Sequence, residues 1–145
     1  MDEVLTKAVE SLTRYLAMRD HSELELRTKM RRYYEPDIVE RAIAFARERD
    51  WLLAPEKLAQ KATEELHRRK KSFRYIQNAL RKRGLPVTRE DTNDEMEKIR
   101  QLLRSRFVEG DDLSYEEKAK AYKFLKYRGF DDALIRKVLN EKQEY

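Results

Sequence analysis

Few residues in this chain could do covalent chemistry. There are two histidines, three glycines and no cysteine. His21 and His67 lie far apart, and neither stands in a pattern that suggests a zinc site. The lack of cysteine excludes disulfides, thiolate metal centres and a thiol nucleophile. Isolated Gly84, Gly110 and Gly129 cannot build a P-loop or a dinucleotide-binding loop. Glu109, Asp111 and Asp112 lack the glycine and closing glutamate of an EF-hand loop, so a solvated turn is expected there. No serine–histidine–aspartate order and no glycosidase-like pair of carboxylates stands out. His21, in Arg19-Asp20-His21-Ser22, reads as a turn residue just before a helix cap. The expectation is a protein that is not an enzyme, with no catalytic residue, no metal and no cofactor.

The charges say more. Lys and Arg number 33 against 28 Asp and Glu, a formal net charge of +5 in a chain that is 42% charged. Signs mix densely almost everywhere, with one exception. No acid occurs between Glu65 and Glu90, an interval holding Arg68, Arg69, Lys70, Lys71, Arg74, Arg81, Lys82, Arg83 and Arg89. On a helical wheel of 72–83, Phe73, Ile76 and Leu80 fall on one side, and Arg74, Asn78, Arg81 and Lys82 on the other. A one-signed strip of this kind meets nucleic-acid phosphates or an acidic protein groove. A merely solvated face is the plain alternative, and no RNA-recognition, zinc-finger or homeodomain signature accompanies the strip.

The elements that must carry these side chains are helices. Gly and Pro together are six residues, and Lys, Arg, Glu, Leu and Ala dominate. Ser22/Glu25, Thr92/Glu95 and Ser114/Glu117 have capping-box spacing. Pro36 and Pro55 suit first turns, and Gly84 and Gly129 suit helix ends of positive φ. Phe130, ahead of Asp131, can staple onto Ile135. The spacing predicts helices over 2–17, 22–33, 36–49, 55–70, 72–83, 93–107, 115–128 and 131–142, with a short turn near 88–92 and one longer loop over 108–114. Apolar stripes predict a core of Leu5, Ala8, Leu12, Tyr15 and Leu16, then Leu26, Met30 and Tyr33, then Ile38, Ala42, Ile43 and Ala46, closed by Trp51 and Leu52. Leu58, Ala62, Leu66, Phe73, Ile76 and Leu80 follow, and then Ile99, Leu102, Leu103, Phe107, Ala121, Phe124, Leu125, Leu134, Ile135, Val138 and Leu139.

Those helices repeat. Ser22/Ser72, Leu16/Leu66, Arg19/Arg69, Leu26/Ile76 and Pro36/Pro86 are each 50 residues apart. A third copy, offset by 45, pairs Arg83-Gly84-Leu85 with Arg128-Gly129-Phe130. This period with helical patterning suggests an all-α array of three-helix units, over 1–53, 54–92 and 93–145. Arg31, Arg81 and Lys126 become equivalent outward positions, as do Arg32, Lys82 and Tyr127. The candidate binding residues are therefore Arg31, Arg32, Arg74, Arg81, Lys82, Lys123 and Lys126, extended by Arg68, Arg69, Lys70 and Lys71. No stretch approaches the roughly 20 apolar residues of a membrane span. Met1 leads into Asp2 and Glu3 rather than a signal peptide, so a cytoplasmic protein without a membrane partner is expected.

The repeats themselves resemble the RecX family, regulators of the recombinase RecA. RDHSELELRTKM (Arg19 to Met30) resembles the family's first-repeat motif, and DWLLAPEKLA (Asp50 to Ala59) its joining segment. ELHRRKKSFRYIQNALRKRGL (Glu65 to Leu85) is similar to the second-repeat signature, and KAYKFLKYRGFDDALIRKVL (Lys120 to Leu139) to the C-terminal repeat. Two places depart from the pattern. Tyr33-Tyr34-Glu35 stands where the family has a Gly-aromatic turn, one residue shorter, and Arg69-Lys70-Lys71-Ser72 stands where it often carries glycines. The resemblance implies three tandem three-helix repeats in an elongated, curved body. It further implies a monomer that binds the groove of the RecA–single-stranded DNA filament and suppresses ATP hydrolysis, strand exchange and co-protease activity. The charge pattern leaves a second possibility, a direct nucleic-acid-binding helical protein without a recombinase partner.

Overall fold

A computed structural model describes residues 2–87, 92–107 and 113–141. Among them lie eight helices and no strand: α1 (Glu3–Met18), α2 (Glu23–Met30), α3 (Pro36–Glu48), α4 (Pro55–Arg68), α5 (Phe73–Lys82), α6 (Thr92–Arg106), α7 (Tyr115–Tyr127) and α8 (Asp132–Leu139). The short turn expected near 88–92 and the loop over 108–114 lie in large part outside the described residues.

Local chemistry sets the starts. Asp2 caps α1 by accepting from the Leu5 amide at 2.9 Å, and Asp131 caps α8 by accepting from the Leu134 amide at 3.2 Å. Full capping boxes, Ser22 with Glu25 and Ser114 with Glu117, open α2 and α7. Pro36 and Pro55 occupy the first residues of α3 and α4, where the missing N–H costs nothing. Phe130 and Ile135 share one core, as a staple requires.

The ends follow a common rule. Helices α3, α4, α5 and α7 each close on a left-handed residue: Asp50 (φ 55), Lys70 (φ 57), Gly84 (φ 69) and Gly129 (φ 91). At each, the next amide reaches back to the carbonyl five residues before it: Trp51 to Ala46, Lys71 to Leu66, Leu85 to Leu80 and Phe130 to Leu125. This is the Schellman closure, which satisfies carbonyls that the helix leaves orphaned. Lys70 therefore keeps a glycine-type conformation in the very segment where the sequence has lost its glycine. Helix α2 differs. It stops at Met30, not 33, and the Tyr33 and Tyr34 amides both turn back to the Met30 carbonyl with no left-handed residue.

The contacts divide the chain into two compact units, the described residues of Met1–Ala62 with Leu80–Val87, and those of Thr63–Ala79 with Thr88–Tyr145. In the first, α1, α2 and α3 enclose Leu5, Ala8, Val9, Leu12, Leu26, Met30, Val39, Ala42, Ile43 and Ala46. In the second, α6, α7 and α8 enclose Met96, Ile99, Leu102, Leu125, Phe130, Ile135 and Val138. The first core corrects the expected stripe by one residue. Tyr33 is 75% exposed, and Tyr34 packs on the core instead, its hydroxyl on Ser11 Oγ at 2.8 Å. Since α2 ends three residues early, its 100° phase no longer applies beyond Met30, and the turn swings the second tyrosine inward. Trp51 does not close the unit either. It is 41% exposed and leans edge-on against Phe45, while Leu52 packs on the core. Val39, outside the expected stripe, is fully buried.

Candidate functional site

The predicted cations sit on the outsides of these helices. In the first unit Arg31, Arg32, Arg81 and Lys82 are exposed, and in the second Arg68, Arg69, Arg74, Lys123 and Lys126 are, while Lys70 and Lys71 are half-buried. On α5, Phe73, Ile76 and Leu80 face inward and are buried, which leaves Arg74, Asn78, Arg81 and Lys82 to solvent. Among the described residues the side chains of Arg32, Arg74, Arg81, Lys82 and Lys123 form no ion pair. Arg31 does, standing 3.7 Å from Glu40, and Lys71 lies 4.8 Å from the centre of the Tyr75 ring. Arg68 lines a cleft of about 470 Å³ in the second unit with Glu64, His67, Asp94, Glu97, Lys98 and Gln101. That cleft mixes both signs. Among the described residues no group of three or more His, Asp or Glu gathers to hold a metal.

Arg83, part of the same basic interval, is spent on structure. Its Nε donates to Glu25 Oε1 at 2.7 Å and its guanidinium to the Asp20 carbonyl at 3.2 Å. Glu25 also takes Arg19 at 2.5 Å and the Ser22 amide at 3.1 Å. Burial works against its ionisation, but the two guanidiniums and the amide hold its carboxyl down at about 2. Ser22, besides capping α2, donates from Oγ to the Arg83 carbonyl at the end of α5. Gly84 allows this approach, since a Cβ there would stand 2.8 Å from Leu24 Cβ.

The second unit repeats the joint with one change. Ser72 Oγ accepts from the Tyr75 amide at 3.1 Å and donates to the Arg128 carbonyl, beside Gly129, at 3.0 Å. The third position of α5 is Tyr75 rather than glutamate, so no box can close within the helix. Glu95 of α6 serves the helix start instead. Its Oε2 accepts from the Phe73 amide at 3.0 Å and its Oε1 from Lys98 Nζ at 2.7 Å, and Lys98 also donates to the Lys71 carbonyl at 2.9 Å. The expected Thr92/Glu95 box involves a Thr92 side chain that lies outside the described residues, and Glu95 is seen serving α5. A buried pair of this kind is stable only when hydrogen bonds satisfy its remaining atoms, as here. The serine–arginine joints went unread in the sequence, although their signal, serines 50 apart and Arg-Gly pairs 45 apart, was visible.

His21 is no plain turn residue. It is buried, with Nδ1 on the Arg19 carbonyl at 2.9 Å and Nε2 taking Lys29 Nζ at 2.7 Å. An ammonium can only donate, so Nε2 accepts and Nδ1 carries the proton. Burial, with the nearby Arg19 and Lys29 charges, lowers its pKa below the usual histidine value. Burial and Lys98 do the same to His67.

Comparison with known proteins fits this arrangement of capped helices on a repeating joint. Residues 8–45 match the family model described as RecX, first three-helix domain, and residues 93–139 the one described as RecX, third three-helix domain. The chain belongs to the RecX family. It is similar to the Regulatory protein RecX of Clostridioides difficile (strain 630), with 28% identity over 152 residues covering 97% of this chain and 70% of that protein. Its fold is similar to the crystal structure of RecX from Lactobacillus salivarius, with a TM-score of 0.74 at 18% identity and 96% of each chain covered. A second crystal structure of a regulatory protein RecX gives 0.73 at 16%, covering 96% of this chain and 73% of the other. No described helix is long and apolar enough to cross a membrane.

Proposed function

We propose that this RecX-family protein is a regulator of RecA that binds in the groove of the filament RecA forms on single-stranded DNA. There it suppresses ATP hydrolysis, strand exchange and co-protease activity, and so acts in DNA repair, recombination and the SOS response. It works as a cytoplasmic monomer built of three helical copies, 1–53, 54–92 and 93–145, with no cofactor and no catalytic residue. The observation that carries this reading is the set of exposed cations on α5, which have no acidic partner among the described residues, in a chain of this family. Arg31, Arg32, Arg68, Arg69, Lys70, Lys71, Arg74, Arg81, Lys82, Lys123 and Lys126 supply the contacts to phosphate and to acidic filament surface. The second reading, direct nucleic-acid binding without a recombinase, is favoured by the same unpaired cations, because phosphate alone would satisfy them.

The test is RecA ATP hydrolysis on single-stranded DNA, with parent protein and with Arg74, Arg81 and Lys82 all changed to Ala. The parent inhibits, and the inhibition weakens with salt by about 0.7 log units per log unit for each single-strand phosphate neutralised. The triple variant flattens that slope while keeping its helical spectrum and Tm, because none of the three side chains is in the core. A variant that inhibits like the parent at every salt concentration refutes the role of these cations. Inhibition that added free single-stranded DNA relieves in proportion to its own binding favours the second reading.

A further inference from the structure

We propose that Tyr75 and Tyr127 form a base-stacking site for single-stranded nucleic acid, flanked by Lys71, Arg74, Lys123 and Lys126. The proposal rests on the polyanion-binding reading above but does not require RecA. All six residues lie in the second unit. The serine joint brings their elements together. The Tyr75 amide binds Ser72 Oγ, and Ser72 Oγ binds the carbonyl of Arg128, the residue after Tyr127. The start of α5 and the end of α7 are thus two hydrogen bonds apart.

The exposure of both rings calls for an explanation. Tyr127 is 95% exposed, and among the described residues it contacts neither a ring nor a cation, since Arg128 turns away to stack on Phe124. It shares a stripe of α7 with Lys120 and Lys123, both exposed. Tyr75 is 46% exposed, with the Lys71 ammonium against its ring. Position 75 is also the third of α5, where the matching position of α2 holds Glu25 and closes a capping box. The chain gives up that local glutamate, draws a buried carboxylate from α6 to serve the Phe73 amide, and shows an aromatic ring to solvent. The result leaves no carboxylate at this position and shows a π face in its place. Tyr115, another exposed tyrosine, lies at the far end of α7 beside Glu116 and Glu117, where no phosphate would approach.

Cations that track a backbone, with aromatic rings between them, suit unstacked bases, and duplex DNA hides those faces. Each ring is expected to add roughly tenfold to affinity, in the lower part of the range for base–aromatic stacking.

The experiment measures binding of the whole protein to a fluorescent oligothymidylate, to an abasic strand of the same length, and to the duplex. Parent protein is compared with Tyr75→Ala/Tyr127→Ala and with Tyr75→Phe/Tyr127→Phe. The expected result is that the Ala pair loses about a hundredfold on oligothymidylate at every salt concentration, with an unchanged salt slope, because a ring carries no charge. The Phe pair retains the affinity, and on the abasic strand parent and Ala pair bind alike. Equal binding by parent and Ala pair on oligothymidylate overturns the proposal, as does a lack of oligothymidylate binding by the parent. A loss equally large on the abasic strand overturns it too, because phosphate contacts alone would then account for the effect. Stacking that survives while RecA inhibition is absent would sink the filament reading and leave this site standing.

Discussion

At the scale of single residues, two histidines couple the stability of the fold to pH. Both have pKa values lowered by burial, with positive neighbours adding to the effect, so the folded protein holds them neutral in a range where the unfolded chain binds a proton. Their share of stability is complete above the ordinary histidine value near 6.5 and is lost as pH falls through the lowered folded values. Denaturant midpoints should therefore drop between pH 7.5 and 5.5, and His21→Gln/His67→Gln should flatten that drop. Glu25 acts in the same direction but far lower, below pH 4.5 and down to about 2, so the two effects separate on a pH axis. Left-handed positions give a second check. Lys70 carries a side chain at φ 57, which costs about 1–2 kcal/mol. Lys70→Gly relieves that and forfeits about 0.5–1 kcal/mol of chain entropy, so thermal unfolding should show a small gain. Gly84→Ala should show the opposite, a loss of at least about 1–2 kcal/mol, as its Cβ would also strike Leu24.

Elements show which sequence signals were strong. Leu80, at the inward side of α5, is fully buried. Leu80→Ala should cost about 2–5 kcal/mol by denaturant titration, and a cost near zero would remove it from the core. That position was legible because amphipathic spacing is local and survives any tertiary arrangement. The same holds for the caps at Ser22 and Ser114 and for the glycine ends at Gly84 and Gly129. Glu95 was not legible. It lies 22 residues from the Phe73 amide it serves, and the sequence offered a nearer role in a Thr92 box. The Tyr33/Tyr34 choice failed for a different reason: a helix that stops three residues early resets the side-chain phase. As for the candidate site, the cations were legible as an acid-free run, and Tyr127 as an outward position equivalent to Arg32 and Lys82. Tyr75 had no such counterpart, because the matching position of α2 holds glutamate, and only the packed structure leaves it exposed.

At the scale of the whole molecule, the serine joint recurs once in each unit. Ser22→Ala removes both a helix cap and a donor to a carbonyl, and Ser72→Ala does likewise, so each should cost about 1–2 kcal/mol in thermal or denaturant unfolding. If either change proves neutral, the joint is a passive neighbour. The joint also has a polarity. Each copy's second helix starts with a plug, the serine, and can end in a socket, the carbonyl beside a glycine. The plug of α2 enters the socket of α5, and the plug of α5 enters that of α7. Helix α2 ends instead at Tyr33 and Tyr34, with no glycine socket, and the hydroxyl of Ser114 is exposed at the head of α7. Duplicating a copy would carry the whole connector with it. The end of α2 offers no glycine-flanked carbonyl for a serine to enter, and its turn is held instead by the Tyr33 and Tyr34 amides on the Met30 carbonyl.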